Sequence, residues 1–189
     1  MKLDEIAVTL ADLFGEAAVA AIAQGSWQVE TSGFRLLVLV SEDNTWVRVL
    51  LPIVPIQEAQ PLLEQLLEAN FDETQEVRYA VYEGVVWGVF QHNSDTLVSA
   101  DLKSAIARLI SLHQAGLDDV FNRLIENRIR QIILAAKQQG QSLQTTMQTL
   151  DRFYAEGLLG EIEQTPEAQS EVLAAWQRQL ERLWNEVEP

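Results

Sequence analysis

The sequence contains no cysteine and only two histidines among its 189 residues. Without cysteine the chain forms no disulfide bond and carries no thiolate nucleophile, and this composition favours a reducing compartment over an extracellular one. His92 and His113 are far apart in the sequence, and neither has further ligands at a spacing typical of a zinc or iron site. We therefore expect no bound metal and no cofactor.

Basic residues and long apolar runs are also scarce. Only 13 Lys and Arg residues accompany 28 Asp and Glu residues, which gives a net charge of −15 at pH 7. Because phosphates would be repelled, this charge disfavours nucleic acid and anionic membrane surfaces as main partners. No apolar run is long enough to span a bilayer, and acidic residues interrupt the first apolar stretch, unlike in a signal peptide. We predict a soluble, cytoplasmic protein.

The sequence lacks the motifs by which common catalytic sites are recognised. It has no GxxxxGK[ST] or GxGxxG loop, because its glycines are isolated turn or cap residues. His92 and Ser94 are close in sequence, but no third group completes a catalytic triad. Glu83 falls in a predicted turn, and most other acids fall on the polar faces of predicted helices. We predict that the protein is not an enzyme, and a carboxylate-site enzyme is the less favoured alternative.

The apolar residues that are present follow the periodicities of a mixed helix and strand domain. Apolar residues recur every three or four positions over residues 3–23, which predicts a helix that ends before Gly25. β-Branched and aromatic residues then predict three strands, over residues 27–31, 34–40 and 46–53. A leucine-rich helix follows over 56–69, and Glu83-Gly84 is the turn between strands 77–82 and 85–92.

The remaining half of the chain, from residue 100, is predicted to be helical. Residues 100–138 form one long helix or two helices broken near Gly116. Two further helices are predicted over 142–156 and 166–187, the second with Thr165 as its N-cap. Trp176 and Trp184 lie on the apolar face of the last helix, so we expect this helix to dock onto the body of the protein.

The sign of the charge reverses within residues 101–140, which carry six basic and four acidic residues. Arg123, Arg130 and Lys137 recur every seven positions and so share one side of a helix. Two interpretations remain open: an ordinary solvated helix surface, or a contact for an acidic partner or for the acidic C-terminal tail.

The predicted strands are apolar on both faces. In the second strand Leu37 and Leu39 alternate with residues that are equally apolar, whereas a strand with one solvated face would alternate with polar residues. The helices at 3–23 and 100–138 can cover one face of the sheet. The other face requires more of this chain, a second copy or a client protein, because a large apolar patch rarely stays exposed in a monomer.

Three stretches together resemble a known family: the helix end LLEANF, the paired strands RYAVYEGVVWGVF and the helix start SADLKSAIARLI. In this order they are similar to the type III secretion chaperone fold (Tir-chaperone-like) and to the related YbjN-like proteins, over roughly residues 1–125. The resemblance implies an ATP-independent homodimer that binds an extended segment of another protein. It places the dimer interface on the second helix, at Leu62, Leu63, Leu66, Leu67 and Phe71. We assign client binding to the first two strands, at Trp27, Val29, Leu37 and Leu39.

The predicted fold is therefore α+β, with a five-stranded antiparallel sheet flanked by helices in the order α-β-β-β-α-β-β-α. Residues 1–138 form a chaperone-like domain, and residues 139–189 form a helical extension. We predict a non-catalytic protein-binding module resembling a type III secretion chaperone. The alternative is a YbjN-like structural or regulatory homodimer with no role in secretion.

Overall fold

A computed structural model describes residues 1–155 and 166–188 of the chain. The predicted α+β fold with an antiparallel sheet is confirmed, but the sheet has six strands instead of five. The strand order is β1-β2-β3-β4-β6-β5, and every neighbouring pair is antiparallel. The strands are β1 (Val19–Ala23), β2 (Ser26–Glu30), β3 (Arg35–Val40), β4 (Trp46–Pro55), β5 (Val77–Tyr82) and β6 (Val85–Asn93).

Seven α-helices accompany the sheet in the described part of the chain. They are α1 (Leu3–Phe14), α2 (Ile56–Ala59), α3 (Leu63–Asp72), α4 (Ser99–Ala115), α5 (Asp118–Gln138), α6 (Leu143–Ala155) and α7 (Pro166–Trp184). Short 3-10 turns at Glu16–Ala18 and Gln60–Leu62 precede β1 and α3. The region predicted as one or two helices is two, because Gly116 has φ 58° and interrupts the helical backbone.

The sixth strand comes from a segment that the periodicity assigned to the first helix. Helix α1 ends at Phe14, where Gly15 adopts φ 82°, and the chain returns as β1 alongside β2. The alanine-rich stretch has high helix propensity, but pairing with the sheet overrides it. The predicted helix over residues 15–23 was therefore wrong, and Gly25 lies in the β1–β2 turn.

One face of the sheet, the inner face, carries the core of the first half of the chain. Helices α1 and α4 pack against it, so the prediction that the first helix and the helix after residue 99 cover one face is confirmed. The core between the inner face and these two helices consists of large buried side chains: Ile6, Leu10, Trp27, Val29, Leu36, Val38, Val47, Val49, Leu51, Phe90, Leu102, Ile106 and Leu109. Burial of these side chains is the main stabilising contribution to this unit.

The chain forms two compact units, Met1–Val120 and Phe121–Pro189, where the sequence placed a boundary at residue 138. The second unit has its own core on α5, α6 and α7. Ile129, Ile133, Leu180 and Leu183 are buried there, with Trp176 and Trp184 packed against them. Helix α7 therefore packs against its neighbours in this unit. The predicted N-cap Thr165 lies outside the described residues.

Ion pairs join helices α5 and α7 within the second unit. Glu126 accepts hydrogen bonds from Arg130 and Arg182, and these cations hold its pKa below the usual range. Arg130 also contacts Glu186 at 2.8 Å. Of the two interpretations of the charge reversal, contact with the acidic tail applies to Arg130, since Glu186 belongs to that tail.

None of the helices in the described residues is both long enough and apolar enough to cross a membrane.

Candidate protein-binding surface

The second face of the sheet, the outer face, carries apolar side chains that solvent can reach. Along β2 to β6 its side chains alternate with those of the inner face, as the antiparallel registers require. Every one of its residues is exposed or half-buried, whereas those at the centre of the inner face are buried. The outer face is therefore not part of the core formed by α1 and α4.

The strand registers arrange the outer face in rows that run across the sheet. One row is apolar over three strands and ends on a cation, in the order Leu37, Leu50, Val89 and Arg78. The next row towards the β2–β3 turn contains Pro52, Trp87 and Ala80. On the other side of the first row lie Leu39, Arg48 and Gln91. An apolar strip is thus bordered by guanidinium groups.

Two arginines of the outer face, Arg48 and Arg35 (two residues before Leu37 on β3), are held in defined positions. Arg35 contacts Glu30 at 2.8 Å, and this pairing lowers the pKa of the Glu30 carboxyl. Arg48 donates to the amide oxygen of Gln91 from Nε at 3.1 Å and from Nη2 at 2.7 Å. The Arg48 guanidinium also lies 4.7 Å from the centre of the Trp46 ring, a cation–π distance.

A shallow cavity of about 350 Å³ opens at the end of the outer face nearest the β2–β3 turn. Phe34, Leu37, Pro52 and Trp87 supply its apolar lining, and the Glu30–Arg35 pair lies at its polar side. The indole N–H of Trp87 donates to the Tyr82 carbonyl at 3.1 Å, which fixes the ring. The cavity can hold an apolar side chain of a bound segment beside a charged pair.

The structure divides the four predicted client-binding residues between the two faces. Trp27 pairs with Val38 and Val29 pairs with Leu36, so both lie on the inner face. Trp27 is 7% exposed and Val29 is fully buried. Leu37 and Leu39 lie on the outer face and are half-buried. Only these two can contact a partner in this conformation, so the assignment of Trp27 and Val29 is corrected by their burial under the helices.

The five predicted dimer residues are likewise divided, between the two sides of the α2–α3 segment. Leu62 and Leu66 are buried and belong to the interior. Leu63 is half-buried, Leu67 is 69% exposed and Phe71 is 95% exposed. The last three recur every fourth residue and form one stripe, which we call the α3 stripe. Leu66 and Leu67 are neighbours within α3, and the turn of about 100° between successive helical residues places one towards the interior and the other towards solvent.

Helix α3 also protects the β5 edge of the sheet. The Asn70 side chain accepts a hydrogen bond from the Tyr79 N–H at 2.7 Å and donates to the Tyr79 carbonyl at 3.1 Å. These two backbone groups would otherwise be free to pair with a strand of another chain. The α3 stripe therefore lies at a sheet edge whose central backbone groups are already satisfied.

Both histidines contact groups that belong to the fold: an aromatic ring in one case and backbone carbonyls in the other. His92 stacks on Phe90 with ring centres 5.9 Å apart. His113, expected on a helix surface, contacts the carbonyls of Pro52 and Gly33 through its two ring nitrogens, at 2.6 and 3.2 Å. Within residues 1–155 and 166–188, no group of three or more His, Asp or Glu side chains is placed to hold a metal ion.

Sequence reasoning missed most of the outer face. It named Leu37 and Leu39 but did not connect them with Leu50, Trp87 and Val89 on the neighbouring strands. The alternation within each strand was visible in the sequence. The assignment failed because strand register, which decides the faces that meet, depends on turn geometry as well as on pattern.

Comparisons with known proteins give matches of structure only. No family model matches the chain, and no curated protein matches it. Among solved structures, the HopA1-SchA chaperone-effector complex has 15% identity and a TM-score of 0.46, over 62% of this chain and 98% of that chain. The ExsC-ExsE complex has 13% identity and a TM-score of 0.47, over 60% and 95%.

A third solved structure is the heterodimeric ExoU-SpcU complex from the type III secretion system of Pseudomonas aeruginosa. It has 16% identity and a TM-score of 0.46, over 60% of this chain and 95% of that chain. All three TM-scores are below 0.5, and none of the three structures is described as a YbjN-like protein.

Proposed function

We propose that this protein is a non-catalytic, chaperone-like protein-binding module. In this proposal a homodimer holds an extended segment of a client protein on the outer face of the sheet. The observation that carries the proposal is the contrast between the two faces. Both are apolar, but only the inner face is buried, whereas the side chains of the outer face are half-buried or exposed. A contiguous apolar surface that solvent reaches is typical of an interaction site.

The outer face suits an extended segment better than a small substrate. Its apolar side chains lie in rows over several strands, and the cavity lined by Leu37, Pro52 and Trp87 is shallow and open. Small-molecule sites are usually deeper and enclose most of their ligand. A segment lying across the rows can place successive apolar side chains between Leu37, Leu50 and Trp87.

The proposed dimer forms through the α3 stripe. Phe71 and Leu67 are strongly exposed apolar residues on one helix, and Val81 and Tyr82 at the end of β5 are exposed as well. Helix α3 lies against β5, so the α3 stripe and this strand lie at the same edge of the first unit. A twofold contact buries both copies of the same patch at once, which makes it self-complementary.

Client binding is tested by affinity capture from native lysate with the full chain as bait. The variant Leu37→Asp with Leu39→Asp places charges on the outer face without altering a buried position. We expect proteins retained by the wild type to be lost with this variant. The matched control, Val8→Asp with Val98→Asp, adds the same charge at exposed positions elsewhere and should retain them.

Identical sets of captured proteins with the wild type and the outer-face variant would contradict client binding at this surface. A wild type that forms a dimer but retains no specific protein would favour the YbjN-like alternative, a structural or regulatory homodimer. Conversion of a small substrate by the purified chain would favour the carboxylate-site enzyme.

Dimerisation is tested by light scattering on the wild type and on the variant Leu67→Asp with Phe71→Asp. We expect a wild-type particle of twice the 21.3 kDa chain mass and a monomeric variant, because unpaired charges would be desolvated at the interface. Both positions are exposed, so the substitutions leave the core intact. A wild type that stays monomeric at all concentrations and salt strengths would refute the proposed dimer.

A further inference from the structure

We infer that the outer face selects one class of client segment: an extended stretch in which acidic residues recur every fourth position with apolar residues midway between them. This inference rests on the proposed client-binding function and names the chemistry of the client. It follows from the charge of the outer face, the spacing of its arginines and the hydrogen-bond and ion-pair partners of each guanidinium group.

The charge of the sheet is opposite to that of the chain. The six strands contain three arginines and a single acid, Glu30, in a protein with 28 acidic and 13 basic residues. All three arginines, Arg35, Arg48 and Arg78, fall on the outer face. A surface of this kind attracts carboxylates locally, since the charges elsewhere on the protein are screened beyond about 8 Å at physiological salt.

The registers determine how far apart the three cations lie. Neighbouring strands are about 4.8 Å apart and the rise along a strand is about 3.3 Å per residue. On this grid the Cα atoms of Arg35, Arg48 and Arg78 are about 12–16 Å from one another. Four residues of an extended segment span about 13 Å, and residues four apart point to the same side. Carboxylates at positions i and i+4 can therefore reach two arginines together.

The residue midway between two such acids faces the apolar strip. In an extended chain position i+2 points to the same side as positions i and i+4. The surface between the arginines consists of Leu37, Leu50 and Val89, with Trp87 in the next row. An apolar side chain at i+2 buries area there, and a polar one would lose its hydration without a partner.

Each guanidinium group is available to a carboxylate of a client. Arg48 has the two donors of its fork on the neutral amide oxygen of Gln91, and replacement by a carboxylate yields a stronger, charge-assisted pair. Arg35 is paired with Glu30, but both side chains are about 60% exposed and such pairs contribute little to stability. Arg78 is exposed and has no ion-pair partner in the described part of the chain.

Arginine and tryptophan side chains on an open sheet can also bind single-stranded nucleic acid. The outer face is less suited to that ligand. Nucleic-acid sites use free aromatic faces for base stacking. One face of Trp46 is already covered by the Arg48 guanidinium. Leucine and valine fill the centre of the outer face, where stacking residues would be required.

The test uses a fluorescein-labelled nine-residue peptide with Glu at positions 1, 5 and 9, Leu at positions 3 and 7, and Ser or Thr elsewhere. Binding to the full chain is measured by fluorescence anisotropy. We expect saturable binding that weakens at least tenfold in the variant with Arg35→Gln, Arg48→Gln and Arg78→Gln. The control variant with Lys2→Gln, Lys103→Gln and Arg128→Gln has the same net charge, and its affinity should stay within twofold of the wild type.

Two further peptides separate this inference from the proposed function. A peptide with Gln in place of each Glu should bind at least tenfold more weakly, and so should one with Glu at positions 1, 4 and 7, which alternate between sides. If the Gln peptide binds as tightly as the Glu peptide, the outer face binds segments without charge selection and only the inference fails. If no peptide binds at any charge, both fail. Displacement of the Glu peptide by oligouridine at equal concentration would overturn the inference in favour of nucleic acid.

Discussion

Gly88 is the residue at which strand β6 and helix α4 approach without room for a side chain. A Cβ atom there would lie 2.9 Å from Leu109 Cδ2 and 3.4 Å from Ile53 Cδ1. Because Leu109 is fully buried, its side chain cannot move aside freely. We expect Gly88→Ala to lower the free energy of unfolding by about 1–3 kcal/mol, a typical overpacking cost, in urea denaturation.

Gly33 offers the matched control for this substitution. A Cβ atom at Gly33 would meet no atom within 4 Å, so Gly33→Ala should leave the free energy of unfolding within about 0.5 kcal/mol of the wild type or raise it slightly. Equal stability of the wild type and the Gly88→Ala protein would show that α4 does not pack this closely on the sheet.

The carboxyl group of Asp43, in the β3–β4 turn, has a strongly lowered pKa. Hydrogen bonds from the Ser41 and Thr45 side chains, and from the Thr45 N–H, lower its pKa to about 2. Because the folded pKa lies below the unfolded value, the contribution of Asp43 to stability is present above pH 3.8 and is lost as the pH falls towards 2. We expect an NMR titration midpoint near 2 for its carboxyl group, which rises in Ser41→Ala. A midpoint of 3.8 in the wild type would contradict the turn geometry.

The protection of the β5 edge by helix α3 depends on one side chain. Asn70→Ala leaves the N–H and carbonyl of Tyr79 without their partners, and an unsatisfied backbone group costs about 1–3 kcal/mol. We expect lower stability and faster amide hydrogen exchange at Tyr79. Glu68→Ala, at an exposed position of the same helix, is the control and should leave both unchanged. An unaltered exchange rate at Tyr79 in Asn70→Ala would show that α3 does not protect this edge.

Elements with strong local signals could be predicted from the sequence, and those decided by tertiary pairing could not. The hairpin turn at Glu83-Gly84 was predicted from the strand patterns on either side of it. In the structure both residues adopt positive φ, as a two-residue turn of this kind requires. Strand β1 was missed because alanine favours helices in isolation, although Gly15 ends α1 and Gly25 lies in the β1–β2 turn.

The candidate site shows the same division. The composition indicated surplus apolar surface, and the outer face and the α3 stripe now give its position. Leu66 and Leu67 are neighbours in α3, and the periodicity alone does not show which of them faces the interior. Trp27 and Val29 were assigned to client binding, but the β2–β3 register pairs them with buried residues of the inner face, which the sequence does not show.

At the scale of the whole molecule, charge and apolar surface act against each other. Two chains of net charge −15 repel, so the proposed dimer should strengthen as salt screens the repulsion. Charge-assisted contacts of the outer face with an acidic segment should weaken over the same range, because exposed ion pairs are screened. The two proposed surfaces therefore respond to salt with opposite signs.

The central claim is that the outer face of the sheet is open in the free protein and the inner face is closed. Hydroxyl-radical footprinting of the full chain measures this directly, because Trp46 and Trp87 lie on the outer face and Trp27 lies on the inner face. We predict that Trp46 and Trp87 are oxidised much faster than Trp27 at every protein concentration, and that Phe71 becomes protected as the concentration rises and dimers form. Oxidation of Trp46 and Trp87 as slow as that of Trp27 would contradict the claim.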